Sequence, residues 1–123
     1  MTQENIDSRE QRARQLHQQG YNCCQSVVLA FDDLLPINAD QALSLSAPFG
    51  RGLSGLREVC GCVSGMAIVC GLTNHSSDVK TLAELFRSEH GDVNCGRLLQ
   101  QGPQRHSCND LVGSAARLLA QIL

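Results

Sequence analysis

Tryptophan is absent from these 123 residues, tyrosine occurs once and phenylalanine three times. A core of stacked aromatic rings is therefore excluded. Leu, Val, Ile and Ala must do the packing, which suits helices joined side by side. Long apolar runs are missing as well. The longest, around residues 63–72, is interrupted by Ser64, Gly65 and Gly71 and is too short to span a bilayer. The net charge is only −2 and no run of like charges occurs, which argues against nucleic-acid binding. The polar start, MTQENIDSREQRARQ, has no apolar h-region or cleavage pattern. No signal peptide and no membrane insertion are expected, and the default location is the cytoplasm.

Period-two alternation is nearly missing too, Leu43-Ser44-Leu45-Ser46 being too brief to outweigh its helical flanks. What is present reads as a single all-α domain, a bundle of five to six helices over residues 1–123. Residues 1–19 form a mostly exposed first helix (7–19, ended by Gly20), and residues 20–123 form the rest of the domain. Asn22 can cap a second helix over 23–35, stopped by Pro36. A short helix over 39–46 ends before Pro48. A glycine-rich link, Phe49-Gly50-Arg51-Gly52-Leu53-Ser54-Gly55, feeds an apolar helix over 56–72. Helices over 77–90, 95–100 and 108–122 follow, with Gly91 and Gly102-Pro103 as breaks. In the last, Leu111, Val112, Ala115, Leu118, Leu119 and Ile122 make an apolar stripe.

Seven cysteines stand out against this plain background. Their count is odd, and without an export signal their density points to metal binding or redox chemistry rather than a disulfide framework. No C-x-x-C pair occurs, so a thioredoxin-like dithiol, a zinc ribbon and covalent haem attachment do not fit. Any shared site must be assembled from separate helices. Gly20-Tyr21-Asn22-Cys23 and Gly91-Asp92-Val93-Asn94-Cys95 share one plan: a glycine break, an Asn suited to capping, then Cys at the first helical position. Ser107-Cys108 repeats it with Ser as cap. Such thiols face unpaired backbone N–H groups and the positive end of the helix dipole, which favours the thiolate. Cys60 and Cys62 point to nearly opposite faces of a regular helix, so both join one site only if the backbone is irregular there. Cys24 and Cys70 have apolar neighbours and read as core cysteines.

Gly50-x-Gly52-x-x-Gly55 matches a dinucleotide fingerprint in letters, but no strand precedes it. It reads as a tight loop whose N–H groups can face a cluster or another anion, or as an inert connection. His17 and His75 read as solvated, His90 as a C-terminal cap, His106 as a surface residue or as a group that tunes Cys108 or ligates a metal, and Asp32-Asp33 as a solvated pair.

Gly20-Tyr21-Asn22-Cys23-x-Gln25-Ser26-Val27, Cys60-Gly61-x-x-x-Gly65, His90-Gly91-x-x-Asn94-Cys95 and Cys108, taken in that order, resemble the C_GCAxxG_C_C family of redox-active proteins. The resemblance runs from about residue 20 to the C-terminus and implies four characteristic cysteines, matching Cys23, Cys60, Cys95 and Cys108. Related sequence occurs beside haem in split-Soret cytochromes, where an iron–sulfur centre is implicated. This chain departs from the pattern at Cys62, which stands where the family has alanine, either as a small-for-small core swap or as an added resolving thiol. Three functions follow from these residues. The first is an iron–sulfur or other metal centre held by Cys23, Cys60, Cys95 and Cys108, for electron transfer or sensing. The second is thiol–disulfide chemistry at the same residues with Cys62. The third is a helical interaction protein with incidental cysteines. A redox partner is expected for the first two; whether the chain is an enzyme, and whether it forms a homodimer, stays open.

Overall fold

The structure, a computed structural model, describes residues 1–100 and 107–123. The expectations for Gly102-Pro103 and His106 fall outside the described residues. Among those described there is no strand, only one antiparallel bridge between Val59 and Asn94. The fold is all-α.

The first helix, α1 (Gln3–Gln18), starts earlier than its apolar residues suggest because Thr2 caps it, its hydroxyl accepting from the Asn5 N–H. It buries Ile6 and Ala13 and lies along the last helix, α8 (Cys108–Ile122). Ion pairs close that seam: Arg14 reaches Glu10 and Asp110, and Arg117 reaches Asp7 and Glu10. Gly113 makes room for the crossing, since a Cβ there would lie 2.3 Å from Arg14 Nε.

Helix α2 (Cys23–Leu29) is capped reciprocally by Asn22 and Gln25. It is shorter than the expected 23–35. Pro36 forces Leu35 into extended backbone (φ −90°, ψ 145°), and a 3₁₀ turn, Asp32–Leu34, fills the interval. Arg9 of α1 then satisfies the Ala30 carbonyl at 2.8 Å and pairs with Asp33, while Arg12 pairs with Asp32. The two aspartates are thus tethers to α1 rather than a free solvated pair. A second reciprocal cap, Asn38 with Gln41, starts α3 (Ala39–Ser46), which packs on α2.

The remaining elements are a single turn, α4 (Gly50–Leu53), the apolar α5 (Gly61–Leu72), the amphipathic α6 (Val79–His90) and the short α7 (Cys95–Leu99). Helix α5 begins five residues later than expected because Arg57 takes a left-handed conformation (φ 58°) and Val59 pairs with Asn94. Gly65 lets α5 approach α2, where an added Cβ would lie 3.0 Å from Val27 Cβ. With few aromatics available, the fully buried side chains are Phe31, Phe86, Met66, aliphatics and cysteines. Cys24 and Cys70 belong to this core, as expected. His90, expected as a C-terminal cap, ends α6 and is buried against Phe86, with Nε2 2.8 Å from Ser114 Oγ.

Candidate functional site

Each helix-start cysteine sits behind the cap that its sequence suggests. Asn22, Asn94 and Ser107 accept from the N–H groups of Gln25, Arg97 and Asp110, which puts Cys23, Cys95 and Cys108 at the first positions of α2, α7 and α8. Cys60 precedes α5 in extended backbone (φ −54°, ψ 132°), and Cys62 lies in its first turn. That break in helical geometry lets two cysteines two residues apart face the same space. All five line one cavity of about 520 Å³. Cys24 and Cys70 do not line it.

Backbone pairing sets the register between the two halves of the site. The Cys60 N–H donates to Val93 O at 2.7 Å, Cys95 N–H to Glu58 O at 2.6 Å, and Gly96 N–H to Arg57 O at 3.2 Å. Cys60 and Cys95 are thereby laid side by side. Cys23 is brought against them by Gly61, whose hydrogen occupies the space where a Cβ would stand 2.4 Å from Cys23 Sγ.

The glycine-rich link is a left-handed helical turn. Arg51, Gly52, Leu53 and Ser54 all have φ between 53° and 72°, and the turn closes with Ser54 N–H to Gly50 O (2.9 Å) and Gly55 N–H to Arg51 O (3.1 Å). L-residues avoid this conformation by about 1–2 kcal/mol each, so its surroundings must hold it. They do. Glu58 N–H donates to Gly52 O at 2.9 Å, and a Cβ on Gly52 would lie 2.5 Å from Glu58 N. On the other side Gly50 is pressed on Asn22, the α2 cap. The turn delivers the Arg51 N–H to Cys23.

These contacts divide the thiols. Cys23 is lowered to about 6, chiefly by the hydrogen bond from the Cys62 thiol, against its burial and with help from the N–H groups of Arg51, Cys24 and Cys23 itself. Cys60 is lowered by the same donor. Cys62 holds its proton far more tightly, because that proton serves both neighbouring sulfurs and the side chain is wholly buried. Cys108 corrects the expectation for helix-start thiols. Burial raises it, and the negative sulfurs of Cys23, Cys60 and Cys95 raise it further, which outweighs the end of its helix. Burial also raises Cys24, and pushes Cys70 up to about 11.

Three cavity residues escaped the sequence reading. Arg57 donates from Nη1 to Cys95 Sγ at 3.5 Å. Arg51 lines the wall. His17, expected in solvent, is partly buried and lines the cavity, with Nδ1 3.4 Å from Asn109 Nδ2. No local motif marks any of them, since their placement depends on the left-handed turn and on the α1–α8 seam. His75, half exposed, pairs with Asp78 at 3.1 Å and lies outside the cavity. All seven cysteines are free. Among the described residues no group of three or more His, Cys, Asp or Glu side chains is placed to hold a metal ion.

A small all-α fold whose helix ends and one helix-preceding loop bring five thiols to one cavity defines a cysteine-based redox protein. The chain belongs to the C_GCAxxG_C_C family: the family's model, described as "Putative redox-active protein (C_GCAxxG_C_C)", matches residues 21–122. No curated protein and no solved structure matches the chain. No described helix is long and apolar enough to cross a membrane.

Proposed function

We propose that the chain is an electron-transfer or sensing protein whose cavity holds an iron–sulfur or other metal centre on Cys23, Cys60, Cys95 and Cys108. The observation that carries this reading is that these four, up to 85 positions apart in sequence, open onto one cavity from four different elements. The donor set agrees with it. Thiolates are soft ligands suited to iron–sulfur clusters, zinc or copper(I). An iron–sulfur or copper centre there would supply one-electron transfer, whereas zinc would not. The chain's own part is to keep Cys23 and Cys60 ionised, to offset their charge with Arg57 and to donate N–H and S–H groups to the sulfurs. Seven free thiols accord with a reducing compartment such as the cytoplasm.

The test is anaerobic purification followed by iron, sulfide and zinc analysis with a visible spectrum. Bound metal that is lost in Cys23→Ala and Cys95→Ala supports the reading. A folded protein that takes up no metal, even after reconstitution with iron and sulfide, sinks it.

A second reading is favoured by the hydrogen bond from Cys62 to Cys23. The Cys23 thiolate would attack a partner's disulfide, forming a mixed disulfide and releasing one partner thiolate. Cys62, giving its proton to solvent, would then attack the Cys23 sulfur. A Cys23–Cys62 disulfide forms, the second partner thiolate leaves, and the two electrons lost by the pair reduce the partner. Mass mapping after mild oxidation of metal-free protein tests it, with a Cys23–Cys62 crosslink expected. Their recovery as free thiols would dismiss it.

A further inference from the structure

The cavity wall is charged in a way that the whole chain is not. The protein carries 12 acidic residues and a net charge of −2, yet among the described residues the cavity lining holds the cations Arg51 and Arg57 and no Asp or Glu, while burial lowers His17 and leaves it neutral at pH 7. Five arginines elsewhere, Arg9, Arg12, Arg14, Arg97 and Arg117, pair with carboxylates. Among the described residues Arg57 pairs with none; its side chain makes one hydrogen bond, from Nη1 to Cys95 Sγ at 3.5 Å, an ordinary length for a sulfur acceptor, and its other side-chain N–H donors have no partner there. Its backbone is also held in the left-handed region (φ 58°), clasped by Arg57 N–H to Arg51 O at 3.2 Å and by Gly96 N–H to Arg57 O. A guanidinium carried on a backbone held at such conformational expense, beside thiols and lining a cavity of small-molecule size, fits recognition of a negative group.

We propose that the mouth of the cysteine cavity is a binding site for a small anion, with Arg57 receiving a carboxylate or oxyanion group of a substrate brought beside Cys95. The proposal rests on the cysteine cavity being the redox site and names the class of molecule it admits. The competing account is that Arg57 only balances the charge of the sulfurs. In that case the mouth would show no preference among incoming reagents.

Alkylation separates the two. Iodoacetate and iodoacetamide react alike, with thiolate sulfur forming the C–S bond and iodide leaving, but only the first is an anion. Both are attacked by the same thiolate, so the ratio of their rates at one cysteine cancels any change in thiolate content. The full chain, reduced and metal-free, is mapped at Cys95 and Cys23 by mass spectrometry, and each ratio is normalised to the same protein in urea. A single positive charge near the reacting sulfur is expected to raise the ratio about three- to fivefold. Arg57→Gln should bring it down to that of the unfolded chain, and Arg57→Lys should keep most of it. Should Arg57→Gln fail to fold, two measurements on the wild type remain. Inorganic phosphate should slow alkylation by iodoacetamide, and raising ionic strength from about 0.01 M to about 1 M should erase the preference. A wild-type ratio equal to that of the unfolded chain, or a ratio unaltered in folded Arg57→Gln, overturns the proposal. Metal analysis reports separately on the redox reading: a protein that binds iron without the anion preference loses only this inference.

Discussion

Gly61→Ala sets two effects of known size against each other. Gly61 is the first residue of α5 with no positive φ, so alanine there should favour the helix by up to about 1 kcal/mol. Against this, the new Cβ would stand 2.4 Å from Cys23 Sγ, 2.9 Å from Phe49 O and 3.3 Å from Cys24 N. Two of these three are backbone atoms of elements already packed, and the sulfur is held by its hydrogen bonds to the Cys62 thiol and the Arg51 N–H. Overpacking of this kind costs about 1–3 kcal/mol. Crowding should therefore win, leaving a net loss of up to about 2 kcal/mol and a midpoint of thermal unfolding lowered by up to about 10 °C. The relief lies in pushing Cys23 away from Cys62, so alkylation of Cys23 at pH 7 should slow as well. Gly71→Ala is the control. It lies in the same helix, exposed, with nothing within 4 Å of its added Cβ, and should gain about 0.5–1 kcal/mol. Thermal melts by circular dichroism and timed alkylation of both variants decide the matter. A Gly61→Ala protein as stable as wild type, with Cys23 equally reactive, would refute the proposed fit of sulfur against glycine.

Cys23 should titrate near pH 6 in the reduced, metal-free protein, read as the midpoint of its alkylation rate against pH, and Cys62→Ala should move that midpoint back toward 9.0. Because its folded value lies below the unfolded one, the stabilisation from Cys23 is complete above about pH 9 and is lost as pH falls to about 6. Urea unfolding should then show a Cys23-dependent rise in stability across that window, absent in Cys23→Ala. Cys24→Ala and Cys70→Ala remove fully buried sulfurs outside the cavity, and each should lose about 1 kcal/mol in urea unfolding. Both should keep wild-type alkylation of Cys23; loss of that reactivity with the fold intact would show that core and cavity cysteines are wrongly separated.

Local capping made much of this architecture legible in advance. The Asn and Ser residues before Cys23, Cys95 and Cys108 act within four residues of themselves, so their effect can be read from the chain alone. The extents of α3 and α8 were legible for the same reason. Tertiary contacts hid the rest. Where α2 ends is decided partly by Arg9, 21 residues from the carbonyl it meets. The late start of α5 depends on residues 57–60 pairing with 93–96. His17 looks like a polar residue on an exposed helix until α8 covers that helix. For the cavity thiols, sequence context supplied the helix dipole but not the neighbouring sulfurs, and at Cys108 the neighbours dominate.

The turn at residues 51–54 reverses handedness in the middle of a right-handed protein. Its mirror-image geometry is natural to D-amino acids, and a ribosomal chain can approach that ease only with glycine. Leu53, at φ 72°, is the least suited of the four. Glycine there would relieve about 1–2 kcal/mol of steric penalty and give back about 0.5–1 kcal/mol as added freedom of the unfolded chain. The position is therefore one where a more stable protein lies a single substitution away. Such a protein would have a slacker hinge, and the clasp that aims Arg57 at the sulfurs would loosen with it.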